Sequence, residues 1–464
     1  PVRGFGDAGS VDLKHGLDRD PARLHRIESQ SPGRVYGNLI ILGSTGGDAW
    51  NGPSGYIRAY DVRSGDLVWT FHSIPQPGEP NFGGWPEDAW KTIGGVNNWT
   101  GITVDADSGE LFIAFASTNI NFSGVNRPGA HLYPNSLVAL DARTGRYLWH
   151  FQTVHHDVWD YDLPQAPKLL TLRRDGRRVD AVAVAGKTGF VYTFDRRTGR
   201  PVFPIEERPV PQSDMAGEQT SPTQPFPVAP PPFALQRFSA DDLSPYLAPD
   251  ERADLLEMLS QSRNEGMFTP PSRQGTVTMP GTSGGTNWGN GVVDRRTGRL
   301  FLVAHEVPSI LRLERASDRA PARFLTAASR PGATVYAEEC ARCHGSDRKG
   351  QPPAVPSLVD VGDRMAVDAF RDVVERGRAT MPGISLSGRK LGDLLEYLGY
   401  PEATVEGNAE PSEAADSNVD LRSADSPIHY RSGFNFLFST TGLPASAPPW
   451  STLTALDMNT GELL

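Results

Sequence analysis

Cysteine is almost missing from this chain: two residues in 464, at positions 340 and 343. That excludes a disulfide-stapled scaffold, because one bridge between residues so close in sequence closes almost no loop and adds little. It leaves no second Cys/His cluster to complete a zinc site, and the βαβ setting of a thioredoxin-like pair is absent. No run of about 20 apolar residues exists, so nothing reads as a bilayer-spanning helix, and no stretch reads as a leader peptide. Excess positive charge is lacking too. A formal net charge of −10 argues against nucleic acid and against an anionic membrane surface. What is plentiful is glycine, 48 residues, and proline, 40 residues, which favours many turns and short strands. The length exceeds one ordinary domain, so two or three cores are expected.

The two cysteines stand in Cys340-Ala341-Arg342-Cys343-His344. A Cys-x-x-Cys-His string is the attachment site of a c-type haem, with Cys340 and Cys343 adding to the vinyl groups and His344 ligating iron. Downstream, in Ala379-Thr380-Met381-Pro382-Gly383, Met381 is the candidate second axial ligand. Imidazole plus thioether raises the potential and favours single-electron transfer over oxygen binding. Haem attachment to such a motif takes place outside the bacterial cytoplasm. A periplasmic or extracytoplasmic location is therefore expected, with a leader or N-terminal region outside this sequence and membrane association, where there is any, through such regions.

The pattern Asp-x-x-(Ser/Thr)-Gly recurs at Asp61–Gly65, Asp105–Gly109, Asp141–Gly145, Asp195–Gly199, Asp294–Gly298 and Asp457–Gly461. It reads as a hairpin in which Asp caps its own turn and Gly takes the positive φ. The alternating flanks, such as Tyr56–Tyr60 and Gly65–Phe71, read as strands with one face buried. Three copies share a fuller form, Ile57–Phe71, Leu137–Phe151 and Val191–Ile205, and a fourth stops at Leu464. Antiparallel repeats of this length predict a β-propeller. Four blades are expected, at roughly 35–71, 99–151, 157–205, and a last one split between 286–313 and 426–464. Four blades would leave open edges, and the last repeat breaks off midway, so the chain reads as a fragment.

The split blade encloses the Cys-x-x-Cys-His string. Helical patterns at Val367–Arg376 and Leu391–Leu398, with linker-like flanks, outline a small cytochrome c. The expected organisation is therefore a propeller over 1–319, an all-α cytochrome domain over 320–425, and a propeller continuation over 426–464. A Pro-rich stretch, Pro201–Pro232, reads as an excursion between blades, and Asp241–Ser262 after it as helical.

The repeats, together with Thr153-Val154-His155-His156-Asp157-Val158-Trp159-Asp160-Tyr161-Asp162-Leu163-Pro164 and Ala185-Gly186-Lys187-Thr188-Gly189, resemble the pyrroloquinoline quinone (PQQ) dehydrogenases, above all their glucose and quinate branch. The resemblance implies a mainly β fold, an eight-bladed propeller of the quinoprotein dehydrogenase type, here partial and carrying the inserted cytochrome. It implies that Asp160 is the general base that takes a hydroxyl proton as hydride leaves carbon. Lys187 would donate to the quinone oxygens and stabilise charge developing on them. Trp99, in Asn97-Asn98-Trp99, resembles the indole that lies against the planar cofactor, and Asn435 resembles an asparagine that contacts PQQ. Asp48, Asn119 or its neighbour Thr118, and Asp160 are the implied ligands of a divalent cation, with Ca²⁺ or Mg²⁺ suited to an all-oxygen shell. His155 and His156 are expected to orient the catalytic loop. The vicinal cysteine pair of another branch is absent.

The expected activity is oxidation of a small hydroxyl substrate, glucose-like or another sugar, polyol or cyclic hydroxy acid, by hydride transfer to PQQ. Electrons then pass singly through haem c to an external cytochrome or membrane quinone. Two alternatives use the same repeats: a non-catalytic haem electron-transfer or sensing propeller that has lost PQQ, and a structural propeller of the outer-membrane assembly type. Asp160, Lys187, Trp99 and Asn435 together favour the dehydrogenase, because packing alone does not require all four.

Overall fold

The computed structural model describes residues 4–315 apart from 25–26, 47–51, 120, 175, 288 and 290, together with most of 332–400 and all of 430–464. Contacts divide the chain into two units. One is Pro1–Arg319 with Ser417–Phe436 and Ser446–Leu464; the other is Ala320–Asp416 with Leu437–Ala445.

The first unit is built from up-and-down antiparallel sheets. Arg34–Tyr36, Leu39–Leu42, Ile57–Asp61 and Leu67–Phe71 form the first sheet, and Ile102–Val104, Glu110–Ala114, Ser136–Asp141 and Tyr147–Gln152 form the second. Lys168–Arg174, Arg177–Ala185 and Val191–Asp195 make a three-stranded third sheet. The fourth joins Val292–Asp294 and Arg299–His305 to Ser451–Asp457 and Glu462–Leu463, so its middle ladder pairs strands from both sides of the long interruption, Arg299 against Asp457 through His305 against Ser451.

The repeat turns form as their residues require. Gly65 donates to the Asp61 carbonyl at 2.8 Å, and Asp61 Oδ1 accepts from the amides of Arg63 and Ser64. The turn glycines at 65, 109, 145, 199, 298 and 461 all take positive φ, between 67° and 82°. The third copy departs from the other two. Pro201 bridges Phe194, Val202 donates to Thr193, and the chain then leaves, with Ile205–Pro209 pairing instead with Thr223–Pro227. Proline at 201 and 204 removes the amides that an outer ladder strand would need.

The inner strands of the second and third sheets are buried on both faces, not on one as expected, whereas Arg299–His305 of the fourth sheet alternates buried residues with half-buried or exposed ones. Along Glu110–Ala114, Leu111 and Ile113 pack into the core shared with the first sheet, while Phe112 and Ala114 pack into the core shared with the third. Leu170 and Leu172 likewise meet Leu300, Leu302 and Leu456 of the fourth. A sheet packed between two others has no solvent side except at its rim. Even Arg58 is fully buried, its guanidinium donating to the carbonyls of Leu13 and His15.

The stack is keyed by aromatic rings on glycines. A Cβ on Gly145 would lie 2.5 Å from the Trp69 indole, one on Gly199 2.6 Å from the Trp149 indole, and one on Gly461 2.6 Å from the Phe203 ring. Two outer-strand indoles and the Phe203 ring, which follows the third sheet, therefore each rest on the turn glycine of a later repeat. Trp149 Nε1 adds a hydrogen bond to the Arg196 carbonyl at 2.8 Å.

Between the third and fourth sheets lies one longer helix, Pro249–Gln261, preceded by a short 3-10 turn at Ala240–Asp242. The helical span expected over 241–262 is thus broken by Pro245 and starts with Pro249 in its first turn, where a missing N–H costs nothing.

In the second unit, helices Val367–Arg376 and Gly388–Tyr397 follow the short helices Ala341–His344 and Val361–Arg364. Phe370 and Val374, one turn apart, pack with Leu391, Leu394 and Leu395 around Cys340. Among the described residues no helix is long and apolar enough to cross a membrane.

Gly199→Ala places a Cβ both at positive φ and inside the Trp149 ring. It should cost about 2–4 kcal/mol, read as a lower denaturant midpoint of the first unit. A change below about 0.5 kcal/mol, the range of neutral surface substitutions, would contradict the keying role.

Candidate active site and haem-binding segment

The loop 153–167 joins the second sheet to the third, and the turn Gly186–Phe190 follows the second strand of the third sheet. These two segments bring Asp160 and Lys187 together. Lys187 Nζ lies 2.7 Å from Asp160 Oδ2 and 3.0 Å from Asp162 Oδ2, with all three side chains buried. Backbone contacts fix the pair: the Lys187 amide donates to the Asp162 carbonyl at 2.9 Å, and Gly285 donates to the Lys187 carbonyl at 2.6 Å. Gly284 has φ 80°, and a Cβ there would lie 2.4 Å from Lys187 Cβ and Cγ. Only glycine lets the fourth sheet's loop lie flat against the lysine.

Asp160 itself adopts φ 63° and His156 φ 45°, the left-handed region in which non-glycine residues are strained and need outside support. Much of that support runs through Asp157. Its Oδ1 accepts from the Trp159 amide at 2.9 Å; its Oδ2 accepts from the Tyr161 amide and from Asn135 Nδ2, both at 3.1 Å, and from the Ser117 hydroxyl. The Ser117 amide donates to Asp162 Oδ1 at 2.8 Å, and Asn135 Nδ2 also donates to the Tyr161 carbonyl. Trp159 and Tyr161 anchor the loop from the far side, Nε1 donating to Thr269 and the phenol to Pro280.

The electrostatics follow from burial. Desolvation pushes Asp160 well above the ordinary carboxylate value, offset only in part by Lys187. Burial also opposes the ammonium of Lys187, but Asp160 and then Asp162 more than offset it, so its pKa is raised and it stays charged. Asp157 is raised by burial as well, against the pull of its hydroxyl and amide donors. A carboxylate with an elevated proton affinity beside a fixed ammonium can accept a proton from a bound hydroxyl group and stabilise negative charge appearing next to it.

The other expected site residues stand as follows. Trp99 is half-buried, its carbonyl accepting from Ser31 Oγ at 3.0 Å. Asn119 and Thr118 are buried at the end of the second sheet, with Asn119 N donating to Gly94 and Thr118 bridging Gly95. Asn435 takes φ 37° and its carbonyl accepts from Ile310 N at 3.1 Å. Asp48 lies outside the described residues. Asp157, Asp162, Ser117 and Asn135 were not singled out from sequence. The two aspartates lie inside the motif Thr153–Pro164, but Ser117 and Asn135 give no local signal.

Residues 340–356 carry the haem motif. Cys343 N and His344 N both turn back onto the Cys340 carbonyl, at 3.1 and 3.0 Å, which sets the thiols one helical turn apart. Neither thiol is in a disulfide, and burial pushes the Cys340 thiol up to about 11. His344 is buried and donates Nδ1–H to the Pro356 carbonyl at 2.9 Å. That leaves Nε2 to ligate iron, the arrangement by which a backbone carbonyl orients a ligating imidazole. Met381 exchanges backbone hydrogen bonds with Arg378, both at 3.0 Å, and its side chain is half-buried. These residues fit haem c.

For PQQ, a flat acidic quinone, the buried ammonium and the buried Thr188 hydroxyl, which has no protein partner, are a suitable donor set. For a divalent cation, the expected Asp48 lies outside the described residues and the expected Asn119 or Thr118 offers neutral oxygens. Among the described residues no group of three or more His, Cys, Asp or Glu side chains could hold a metal ion, and Asp160 is already paired.

The chain belongs to the PQQ-dependent dehydrogenases: residues 1–351 match the glucose/ethanol/alcohol dehydrogenase β-propeller domain. Residues 327–398 match the cytochrome domain of the cbb3-type cytochrome c oxidase subunit III model. Among characterised relatives, the quinate/shikimate dehydrogenase (quinone) of Acinetobacter baylyi is 35% identical over 302 residues, covering 64% of this chain and 37% of that protein. The quinoprotein glucose dehydrogenase of Escherichia coli is 34% identical over 300 residues, covering 62% of this chain and 36% of that protein. The chain thus spans little more than a third of the length of these relatives. The crystal structure of quinohaemoprotein alcohol dehydrogenase from Comamonas testosteroni superposes with a TM-score of 0.43 at 24% identity, over 61% of this chain and 38% of that one.

Gly284→Ala should displace Lys187 from Asp160 and lower PQQ affinity at least about tenfold by loss of a charge-assisted contact, measured by fluorescence titration. Unchanged affinity would contradict the packing described for Lys187.

Proposed function

We propose that this is an extracytoplasmic quinohaemoprotein dehydrogenase that oxidises a sugar, polyol or cyclic hydroxy acid. Propeller segments 1–319 and 426–464, with the four sheets standing as blades of an eight-bladed ring, would flank a cytochrome c domain at 320–425. The observation that carries the reading is the buried contact of Lys187 with Asp160 at 2.7 Å, in a chain that also bears Cys-x-x-Cys-His. The relatives' names, one for quinate and shikimate and one for glucose, support a cyclic hydroxyl compound, with glucose-like sugars first among those to test.

PQQ, when bound, supplies an ortho-quinone able to accept hydride. Asp160 takes the substrate hydroxyl proton at Oδ1, the oxygen not turned towards Lys187. Lys187 keeps Asp160 oriented and sets a fixed positive charge where negative charge develops. Trp99 offers an indole face to a planar ring, and Asn435 offers an amide at its edge. Cys340 and Cys343 would hold haem c, with His344 and Met381 on the iron, and single electrons would leave to an external cytochrome or membrane quinone. Asp48, Asn119 or Thr118, and Asp160 remain the candidate shell for Ca²⁺ or Mg²⁺.

Asp160→Asn keeps the side-chain shape and removes the base. Haem and PQQ content should persist while substrate-driven haem reduction slows at least about a hundredfold; turnover within tenfold of the parent would overturn the assignment. Met381→Ala should retain covalent haem but lower its midpoint potential, and an unchanged potential would remove Met381 from the iron.

A further inference from the structure

The Pro-rich excursion between the third sheet and the helix Pro249–Gln261 has no part in the proposed reaction, yet it sends buried polar side chains to the turn that carries Asp160. Gln224 is fully buried. Its Oε1 accepts from the His155 amide and its Nε2 donates to the His155 carbonyl, both at 2.8 Å. One side chain thereby satisfies both backbone groups of a residue that lies in no sheet, as a neighbouring strand would.

Glu218 grips the next residue. Its Oε1 accepts from His156 Nε2 at 2.9 Å and its Oε2 from the Gly124 amide at 2.5 Å, with the His156 and Glu218 side chains 4% and 3% exposed. On the other side of the ring, Nδ1 donates to the Gly129 carbonyl at 3.0 Å. The fit leaves no slack, since a Cβ on Gly124 would fall 2.2 Å from His156 Nε2 and 2.6 Å from Glu218 Oε1. The third consecutive residue, Asp157, gives its carbonyl to Arg127 Nη2.

Residues 155, 156 and 157 are thus held one after another by side chains from outside their own loop, with only Val158 and Trp159 between them and a base whose backbone sits in the left-handed region. We infer that Glu218 and Gln224 are positioning residues for Asp160 and that the excursion is the strap that carries them. The inference rests on Asp160 being the base. The side chains of Gln224 and Glu218 direct their hydrogen bonds to His155, His156 and Gly124, not to substrate or cofactor. Losing either grip therefore lets the base turn relax without removing a contact to substrate or cofactor, and displacements of about 1 Å at a reacting group cost rates of order a hundredfold.

The test uses the full-length protein loaded with PQQ and haem. Gln224→Met keeps length and removes both hydrogen bonds; Glu218→Gln keeps volume and one acceptor oxygen. For both, kcat should fall at least about tenfold, while KM, the PQQ dissociation constant and the melting temperature change little. The primary deuterium isotope effect on the oxidised C–H bond should rise as hydride transfer becomes more fully rate-limiting. Should Gln224→Met not fold, Glu218→Gln carries the same readouts. If Asp160→Asn is inactive and both strap variants stay within twofold of the parent kcat, the strap falls and the base stands. If kcat falls only in proportion to PQQ affinity or melting temperature, the role is structural and the inference is wrong. If Asp160→Asn is active, the base assignment fails and takes the strap with it.

Discussion

The contact on which the rest of the site depends is the buried ammonium of Lys187 held between Asp160 and Asp162. A charge taken out of water costs several kcal/mol unless geometry and hydrogen bonds return it, and breaking such a pair leaves the remaining ion uncompensated at a cost of about 3–5 kcal/mol. Here Asp160 and Asp162 share one lysine, and the Ser117 amide takes up the remaining oxygen of Asp162. A third carboxylate, Asp157, has no lysine and is held by two amides, a hydroxyl and an asparagine instead. Charge-assisted hydrogen bonds of that kind are the strong ones. The loop between the second and third sheets, the turn at Gly186–Phe190 and the close approach of Gly284 all serve to close protein around that ammonium.

The scaffold follows from a different constraint. The inner strands of the second and third sheets are buried on both faces, so neither sheet could stand alone, and the stack must be held in register. The rings of Trp69, Trp149 and Phe203 on Gly145, Gly199 and Gly461 do this, because the same short motif that makes each turn also presents the flat spot for the preceding ring. A repeat that encodes its own turn and its own docking surface yields stacking without long-range sequence signals.

That economy explains what was legible beforehand. The six Asp-x-x-(Ser/Thr)-Gly turns, their flanking strands and the helix Val367–Arg376 are local, and each is readable from a few adjacent residues; the split of the fourth sheet is readable only from the match between distant repeats. Burial on both faces is not readable locally. Alternation in Tyr56–Tyr60 looks one-sided, and nothing local says that residues 13–15 will cover Arg58. The loss of the third sheet's outer strand was foreshadowed by Pro201 and Pro204, although the repeat pattern runs through them. At the site, Asp160, Lys187 and Cys340–His344 stand in short strings. Their partners Ser117, Asn135, Arg127, Glu218 and Gln224 are distant in sequence and ordinary in type, and only folding reveals them.

The central claim is that electrons from a hydroxyl substrate reach the haem through PQQ bound beside Lys187 and Asp160. Its most direct test is the haem absorption of the full-length protein, followed anaerobically as PQQ and then sugars, polyols and cyclic hydroxy acids are added in turn. One substrate class should reduce the haem, and only after PQQ is bound. Reduction without PQQ, or no reduction by any substrate while dithionite still reduces the haem, would contradict the central claim.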